Sequence, residues 1–221
     1  GLGQKFDIPM SAVTEGKMPD KAWLLERYKQ EWRIGDTINA SIGQGYVLAS
    51  PLQLAVMTAR IASGRSVSPR LVRMVNDQEL PAAEAPPLDI SPEYLAAVRK
   101  GMHEVVNGEH GTAKSSRVVE PTMVFAGKTG TSQVRNISKA EREAGVISND
   151  DLPWNRRDHA LFVGFAPYDA PRYAVAVVVE HGGGGSTAAA PIARDVILRA
   201  LYGEMPSLEA YPTSQRGRIE T

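Results

Sequence analysis

Two apolar runs, residues 159–166 and 172–180, stand on either side of the short link Tyr168-Asp169-Ala170-Pro171. Each has the length of a strand, and so tight a link lets the two pair only antiparallel. A parallel arrangement would need a crossover of a dozen residues or more, and there is no room for one. A third strand-like run covers 122–134. After residue 180 the chain passes through His181 and four glycines into a helix expected from about Thr187 to Tyr202, with Ile192, Val196, Ala200 and Leu201 on its buried side. Between the first and second runs lies a long polar loop, 135–158, of the kind that is usually functional or mobile.

The first half reads differently. Residues 1–18 are glycine-dotted and irregular, and Pro19-Asp20 opens a helix through Gln30 with Trp23, Leu24, Arg27 and Tyr28 at helical spacing. Gly35 to Tyr46 reads as irregular. Ser50-Pro51 is a hydroxyl cap with proline at the first helical position, and the residues up to Gly64 are apolar nearly all round, which marks a buried helix. A short strand is expected within 68–76 and a surface loop over 77–90. Ser91-Pro92 repeats the capping signal, starting a helix with Leu95, Val98, Met102, Val105 and Val106 on one stripe and Arg99, Lys100 and Glu104 toward water; Asn107-Gly108 ends it. Helices first, then an antiparallel meander closed by a helix, give an α+β fold, an antiparallel sheet flanked by helices. Residues 206–221 read as a polar, fraying tail.

The totals exclude several functions. Twenty-five basic residues balance twenty-five acidic ones, without the basic excess or basic run of a nucleic-acid binder. There is no cysteine, hence no disulfide and no thiolate metal site. No apolar run approaches the roughly 20 residues that span a bilayer. The four histidines, His103, His110, His159 and His181, have no metal-ligand spacing and read as ordinary surface or boundary residues, and no cofactor motif is present.

Within the first strand run, Phe125-Ala126-Gly127-Lys128-Thr129-Gly130-Thr131-Ser132 concentrates a cation, three hydroxyls and two glycines. A phosphate-binding P-loop would need glycine where Thr122 stands and a helix where Gln133-Val134 continues an extended pattern. His181-Gly182-Gly183-Gly184 is similar to a lipase oxyanion segment, but the Gly-x-Ser-x-Gly elbow that such an enzyme needs is missing; a flexible strand-to-helix connection accounts for it. Lysine guarding a polar edge strand would explain Lys-Thr-Gly-Thr taken alone.

Its surroundings add a resemblance. Lys128-Thr129-Gly130-Thr131-Ser132 resembles the third active-site motif of penicillin-binding proteins and serine β-lactamases. Gly35 to Tyr46, Ser50-Pro51-Leu52-Gln53-Leu54-Ala55, Asp158 to Pro167 and Tyr173 to Pro191 resemble class B penicillin-binding proteins in the same order, nearest to the penicillin-binding protein 2 branch of cell-elongation enzymes. The resemblance implies the penicillin-binding transpeptidase fold, with residues 1–205 as the C-terminal portion of that domain. It implies cross-linking of peptidoglycan by serine acyl transfer on D-Ala-D-Ala stem peptides, with β-lactams as mimics, and no cofactor. Lys128 and Thr131 would be catalytic, and Lys128, Thr129, Gly130, Thr131 and Ser132 would bind substrate. The hydroxyls of Thr129 and Thr131 would hold the terminal carboxylate, and the Thr131 amide would be one oxyanion donor.

In such a family the nucleophile lies in Ser-x-x-Lys, followed by Ser-x-Asn or Ser-x-Asp and then Lys-Thr-Gly. None of the serines here has lysine three positions later, and Ser148-Asn149-Asp150 follows Lys128 rather than preceding it. The nucleophile, the second motif and a single-pass membrane anchor are therefore expected upstream of Gly1, and the chain alone is expected to be inactive. The resemblance places the parent on the periplasmic face of a bacterial inner membrane, with a SEDS-family glycosyltransferase and other elongation proteins as partners. Two other readings stay open at this point: a non-catalytic penicillin-binding-like sensor or scaffold, and a β-lactamase.

Overall fold

A computed structural model describes residues 1–219. The meander is present as expected: β3 (Ala126–Ser132), β4 (His159–Ala166) and β5 (Tyr173–Val179) pair antiparallel in the order β3-β4-β5. β3 is shorter than the 122–134 run because Pro121–Met123 forms a 3₁₀ turn before it. The ladder sets Gly127 opposite Gly164, Thr129 opposite Phe162 and Ser132 opposite His159.

The period of two divides the sheet into two buried faces. Phe162 packs with Ala189, Ala190, Ala193 and Ile197 of the C-terminal helix segment, while Ala126 and Phe165 pack with Ala62 of α3 (Pro51–Ser63) and Met102 of α4 (Pro92–Asn107). Two glycines make the first face possible. A Cβ on Gly127 would lie 2.3 Å from the Phe162 ring, and one on Gly164 would lie 2.6 Å from the Phe125 ring. Each ring thus covers the glycine on the neighbouring strand, and the rings meet at 5.4 Å between centroids. Phe125 and Phe162 are fully buried.

The helices start where their caps predict. Asp20 accepts from the Trp23 amide at the head of α1 (Lys21–Tyr28), and Ser50 accepts from the Gln53 amide at the head of α3. Ser91 caps α4, and Gly64 ends α3 in the left-handed region. Gln53 is fully buried because its side chain bonds the Gln4 and Glu15 carbonyls and the Ser50 amide, tying the irregular N-terminal segment to α3.

Several expectations are corrected. The stretch expected to be irregular from Gly35 contains α2 (Ile34–Ser41), where Asp36 accepts from the Arg33 amide and Thr37 accepts from the Trp32 indole. Its glycine and β-branched residues hide the helix from propensity arguments. The strand sought in 68–76 is only β1 (Met74–Val75), which turns through Asn76 and Asp77, both at positive φ, onto β2 (Gln78–Glu79) inside the supposed loop. On α4 Leu95, Met102, Val105 and Val106 face inward as expected, and one pair of positions is exchanged. Val98 is exposed, and Arg99 turns inward, its guanidinium lying 5.7 Å from the Phe165 ring centroid and 5.6 Å from that of Tyr168 while donating to the Tyr168 carbonyl.

The C-terminal helix shows the larger shift. A π-helical turn over Gly185–Ala189 precedes α6 (Ala190–Tyr202), so Ala190, Ala193, Arg194, Ile197 and Leu198 are buried, while Ile192 and Val196 are about half exposed and Ala200 is exposed. The π turn winds in one extra residue and rotates the helix away from the simple 3.6-residue phase. Ala190 and Ala193 on the buried side of α6, with Ala189 at the end of the π turn, let this segment approach the sheet closely. Nor does the tail fray over residues 206–219; the last two residues of that expectation lie outside the described residues. Tyr211 is buried, and Arg194 stacks over its ring at 4.7 Å while bonding Asp195 and Gln215. The Ala210 carbonyl accepts from the Val119 amide, and α7 (Thr213–Ile219) follows.

The long loop 135–158 also has structure. Arg135 makes a bidentate pair with Glu141, 2.7 Å on each arm, and Glu141 accepts from the Ile147 amide. Ser138 caps α5 (Lys139–Ala144) between them. The Arg135 hydrogen bonds hold the Glu141 carboxyl below the usual carboxylate range, and the same pairing raises the Arg135 guanidinium.

Two outcomes follow. Tyr211→Ala in the parent protein should cost about 3 kcal/mol by removing a buried ring from the core, read as a loss of unfolding free energy in denaturant; an unchanged midpoint would mean the tail is not docked. Because Glu141 is depressed in the folded state, its contribution is complete above the ordinary glutamate pKa and is lost as pH falls through the lowered value. The Ile147 amide, measured against its intrinsic exchange rate at each pH, should therefore lose protection only in acid, and Glu141→Gln should abolish that pH-dependent loss.

Candidate active-site strand

β3 pairs with β4 on one side only, and no strand among the described residues pairs with its other edge. The ladder fixes which backbone groups point there. Just before the strand the Val124 carbonyl accepts from the Tyr168 amide on the β4 side, while the Phe125 carbonyl turns the other way and accepts from Asn107; on β3 itself Lys128 Nζ donates to the Thr129 carbonyl at 2.7 Å. Gly185 packs against the Gly130 amide, the Gly130 carbonyl and the Leu161 carbonyl, the signature of a closely bonded Gly130–Leu161 pair. Alternation then turns the N–H and C=O of Thr129 and Thr131 outward together. An exposed row of this kind is open to an extended peptide.

The side chains suit an anion. Thr129 and Thr131 stand on one face, two residues apart, with Thr129 half-buried and Thr131 exposed. Lys128 is exposed and makes no ion pair among the described residues, so its charge is available to a ligand. Gly130 sits between the threonines, and Ser132 closes the strand, exposed, opposite His159. All five residues singled out from the sequence therefore lie on one exposed strand.

The structure adds three supports that sequence reasoning missed. The Thr112 hydroxyl lies 3.2 Å from the Thr129 hydroxyl, carried there by the turn after α4. That turn is rigid. Ala113 is fully buried and its amide bonds the Val105 carbonyl, and a Cβ on Gly111 would strike the Glu104 and Val105 carbonyls at 2.5 Å. Asn107 donates to the Phe125 carbonyl, anchoring the start of the strand. The Gly-Thr-Ala triplet after a helix stop was the available signal, since glycine before a hydroxyl commonly marks close backbone approach.

The glycine run after His181 is likewise more than a connection. Gly185 is fixed against Gly130 and Leu161, and the Gly183 amide bonds the Asp158 carbonyl. His159 and His181, expected to be ordinary, are linked. The His181 amide donates to His159 Nδ1 at 2.9 Å, the His181 Nδ1 lies 2.7 Å from the Arg157 carbonyl, and Trp154 packs edge-on to the His181 ring. Accepting through Nδ1 makes His159 the Nε2–H tautomer. Ser148-Asn149-Asp150 takes no part in the strand: Ser148 caps a 3₁₀ turn, and Asn149 holds Asp158.

Comparison with known proteins gives the family. The penicillin binding protein transpeptidase domain model matches residues 1–198. The peptidoglycan D,D-transpeptidase MrdA of Haemophilus influenzae is 36% identical over 217 residues, covering 96% of this chain and 33% of the relative. That of Acinetobacter baumannii is 37% identical over 196 residues, covering 86% and 28%. Penicillin-binding protein 2 of Helicobacter pylori in complex with MreC superposes with a TM-score of 0.73 at 33% identity, over 92% of this chain and 34% of that one. Pseudomonas aeruginosa PBP2 in complex with WCK 5153 gives 0.72 at 35% identity, over 96% and 43%. The chain thus spans about a third of the length of the curated relatives it matches. It belongs to the penicillin-binding protein transpeptidase family, with homologues that are penicillin-binding protein 2 (MrdA) enzymes.

Proposed function

We propose that this chain is the substrate-gripping part of a serine D,D-transpeptidase that cross-links peptidoglycan, acting with a nucleophile carried elsewhere in the parent protein. The observation that carries the reading is the bare edge of β3, where Lys128, Thr129 and Thr131 present a cation, two hydroxyls and outward backbone groups together. A terminal D-Ala carboxylate binds the Thr129 and Thr131 hydroxyls through charge-assisted bonds, and Lys128 supplies the field. The peptide backbone adds to β3 as a further strand. The scissile carbonyl then meets the Thr131 amide, which stabilises the oxyanion as the serine attacks; a second donor comes from the nucleophile's own amide. D-Ala leaves, and the amine of a neighbouring stem resolves the acyl-enzyme. β-Lactams occupy the same place.

The Thr112–Thr129 contact favours this reading over a scaffold, because an edge strand with no ligand has no need of a hydroxyl fixed by a second, rigid turn. A scaffold or sensor would lack Ser-x-x-Lys upstream of Gly1, and a β-lactamase would turn over β-lactams without accumulating an acyl-enzyme. Under the transpeptidase reading the parent sits at the periplasmic face of the inner membrane by a single-pass anchor. It works beside a SEDS-family glycosyltransferase and other elongation proteins. No cofactor is required by the chemistry proposed.

Two measurements test this. Lys128→Ala in the full-length parent should slow acylation by a fluorescent penicillin by roughly a hundred-fold or more, with the melting temperature unchanged; an unaltered rate would remove Lys128 from the site. This chain by itself should show no stable penicillin label, and labelling at one of its own serines would place the nucleophile here and overturn the division of labour.

A further inference from the structure

After β5 the chain makes a turn whose left-handed position would suit glycine, yet a histidine stands there. His181 lies at φ 53, and four glycines follow it. A side chain in that region of backbone space needs partners that hold it there. Its ring has three: Nδ1 donates to the Arg157 carbonyl across 2.7 Å, Trp154 meets it edge-on at 4.6 Å, and the His159 ring lies 4.7 Å away. Its amide donates to His159 Nδ1 at 2.9 Å.

What this fastening holds lies on β3. His159 stands opposite Ser132, at the last rung of the β3–β4 ladder. From His181 the chain needs only four residues to reach Gly185, which lies so close to β3 that an added Cβ would sit 2.5 Å from the Gly130 carbonyl oxygen. Between them the Gly183 amide bonds the Asp158 carbonyl at 2.9 Å. The turn is thus pinned at 181, 183 and 185, and its first pin is an imidazole lone pair. Gly130 and Ser132 flank Thr131 on the strand. A shift of the turn therefore moves the residue whose amide and hydroxyl the transpeptidase reading gives to the substrate.

We infer that His159 and His181 are positioning residues for the transpeptidase site, a role that rests on that reading: the neutral His159 Nδ1 holds the glycine turn against Gly130 and so fixes the Thr131 amide for the oxyanion. A proton gained at Nδ1 removes the lone pair, and the pin opens. His181 keeps its own bond in either form, because its Nδ1 donates to a carbonyl in both. Imidazole changes charge between about pH 5 and 8, so the site loosens as the medium turns acid. Ser132, opposite His159, is uncharged. The charged groups bordering the pair are Arg157 and Asp158 before β4, Glu180 before His181, and Arg135, which feels the Asp158 charge. The direction of the effect does not depend on them, since only the neutral ring can accept.

The test measures acylation of the full-length parent by a fluorescent penicillin, taking the rate constant and the final yield of label separately from about pH 8 to about pH 5. Yield counts folded sites, and rate reports their geometry. His159→Leu removes the acceptor and should slow acylation roughly ten-fold at the alkaline end, as expected when a half-buried amide loses its partner, with the yield intact. His159→Asn offers an amide oxygen near the place of Nδ1 and does not titrate. It should recover most of that loss and decline less in acid than the wild type does. An unchanged rate in His159→Leu, a loss of yield alone, or an acid decline as steep in His159→Asn as in the wild type would overturn the positioning role and leave the transpeptidase reading standing. A wild-type parent that penicillin does not acylate at all would bring down that reading, and the positioning role with it.

Discussion

The β3–β4 ladder is the constraint on which the rest of the structure depends. Its register puts Phe162 over Gly127 and Phe125 over Gly164, so that two fully buried rings pack across the two strands. A one-residue slip would send those rings to the opposite face and turn Thr129 and Thr131 with them. Side-chain packing deep in the sheet and hydroxyl placement at its rim are therefore set by one alignment. The bare edge of β3 is a liability in most proteins. Here it is short and carries Lys128, and the groups left unpaired are the ones a peptide substrate can use.

Rigidity around that edge comes from segments distant in sequence. The turn after α4 delivers Thr112, Asn107 ties down the start of the strand, and Gly185 presses on its middle. A hydroxyl that is to donate to a carboxylate, as proposed for Thr129, benefits from a fixed direction, because the ordering cost is met during folding rather than binding. The loop 135–147 adds a second fixed wall, held by Arg135 and Glu141.

Much of this was legible in the sequence because the signals were local. The Tyr168-to-Pro171 link dictated the β4–β5 hairpin, Ser50-Pro51 and Ser91-Pro92 placed two helices, and Lys128 to Ser132 stood out as a candidate site by composition and order. The misses have separate physical causes. Which face of α6 is buried depends on a π turn that shifts the helical phase, and periodicity alone pointed to Ile192 and Val196. Arg99 lies against aromatic rings supplied by residues 165 and 168, which no window around it contains. Tyr211 reads as part of a polar tail until Arg194 is seen stacked on it. Contacts of long sequence separation account for Arg99 and Tyr211, whereas α2 was hidden by its own weak helix propensity.

The central claim is that the outward edge of β3 grips the substrate carboxylate and one arm of the oxyanion. A crystal structure of the full-length parent acylated by a β-lactam tests it most directly. The account requires the lactam carboxylate within hydrogen-bonding distance of the Thr129 and Thr131 hydroxyls and the acyl carbonyl oxygen on the Thr131 amide. A carboxylate bound elsewhere, with the edge of β3 unoccupied, would contradict it.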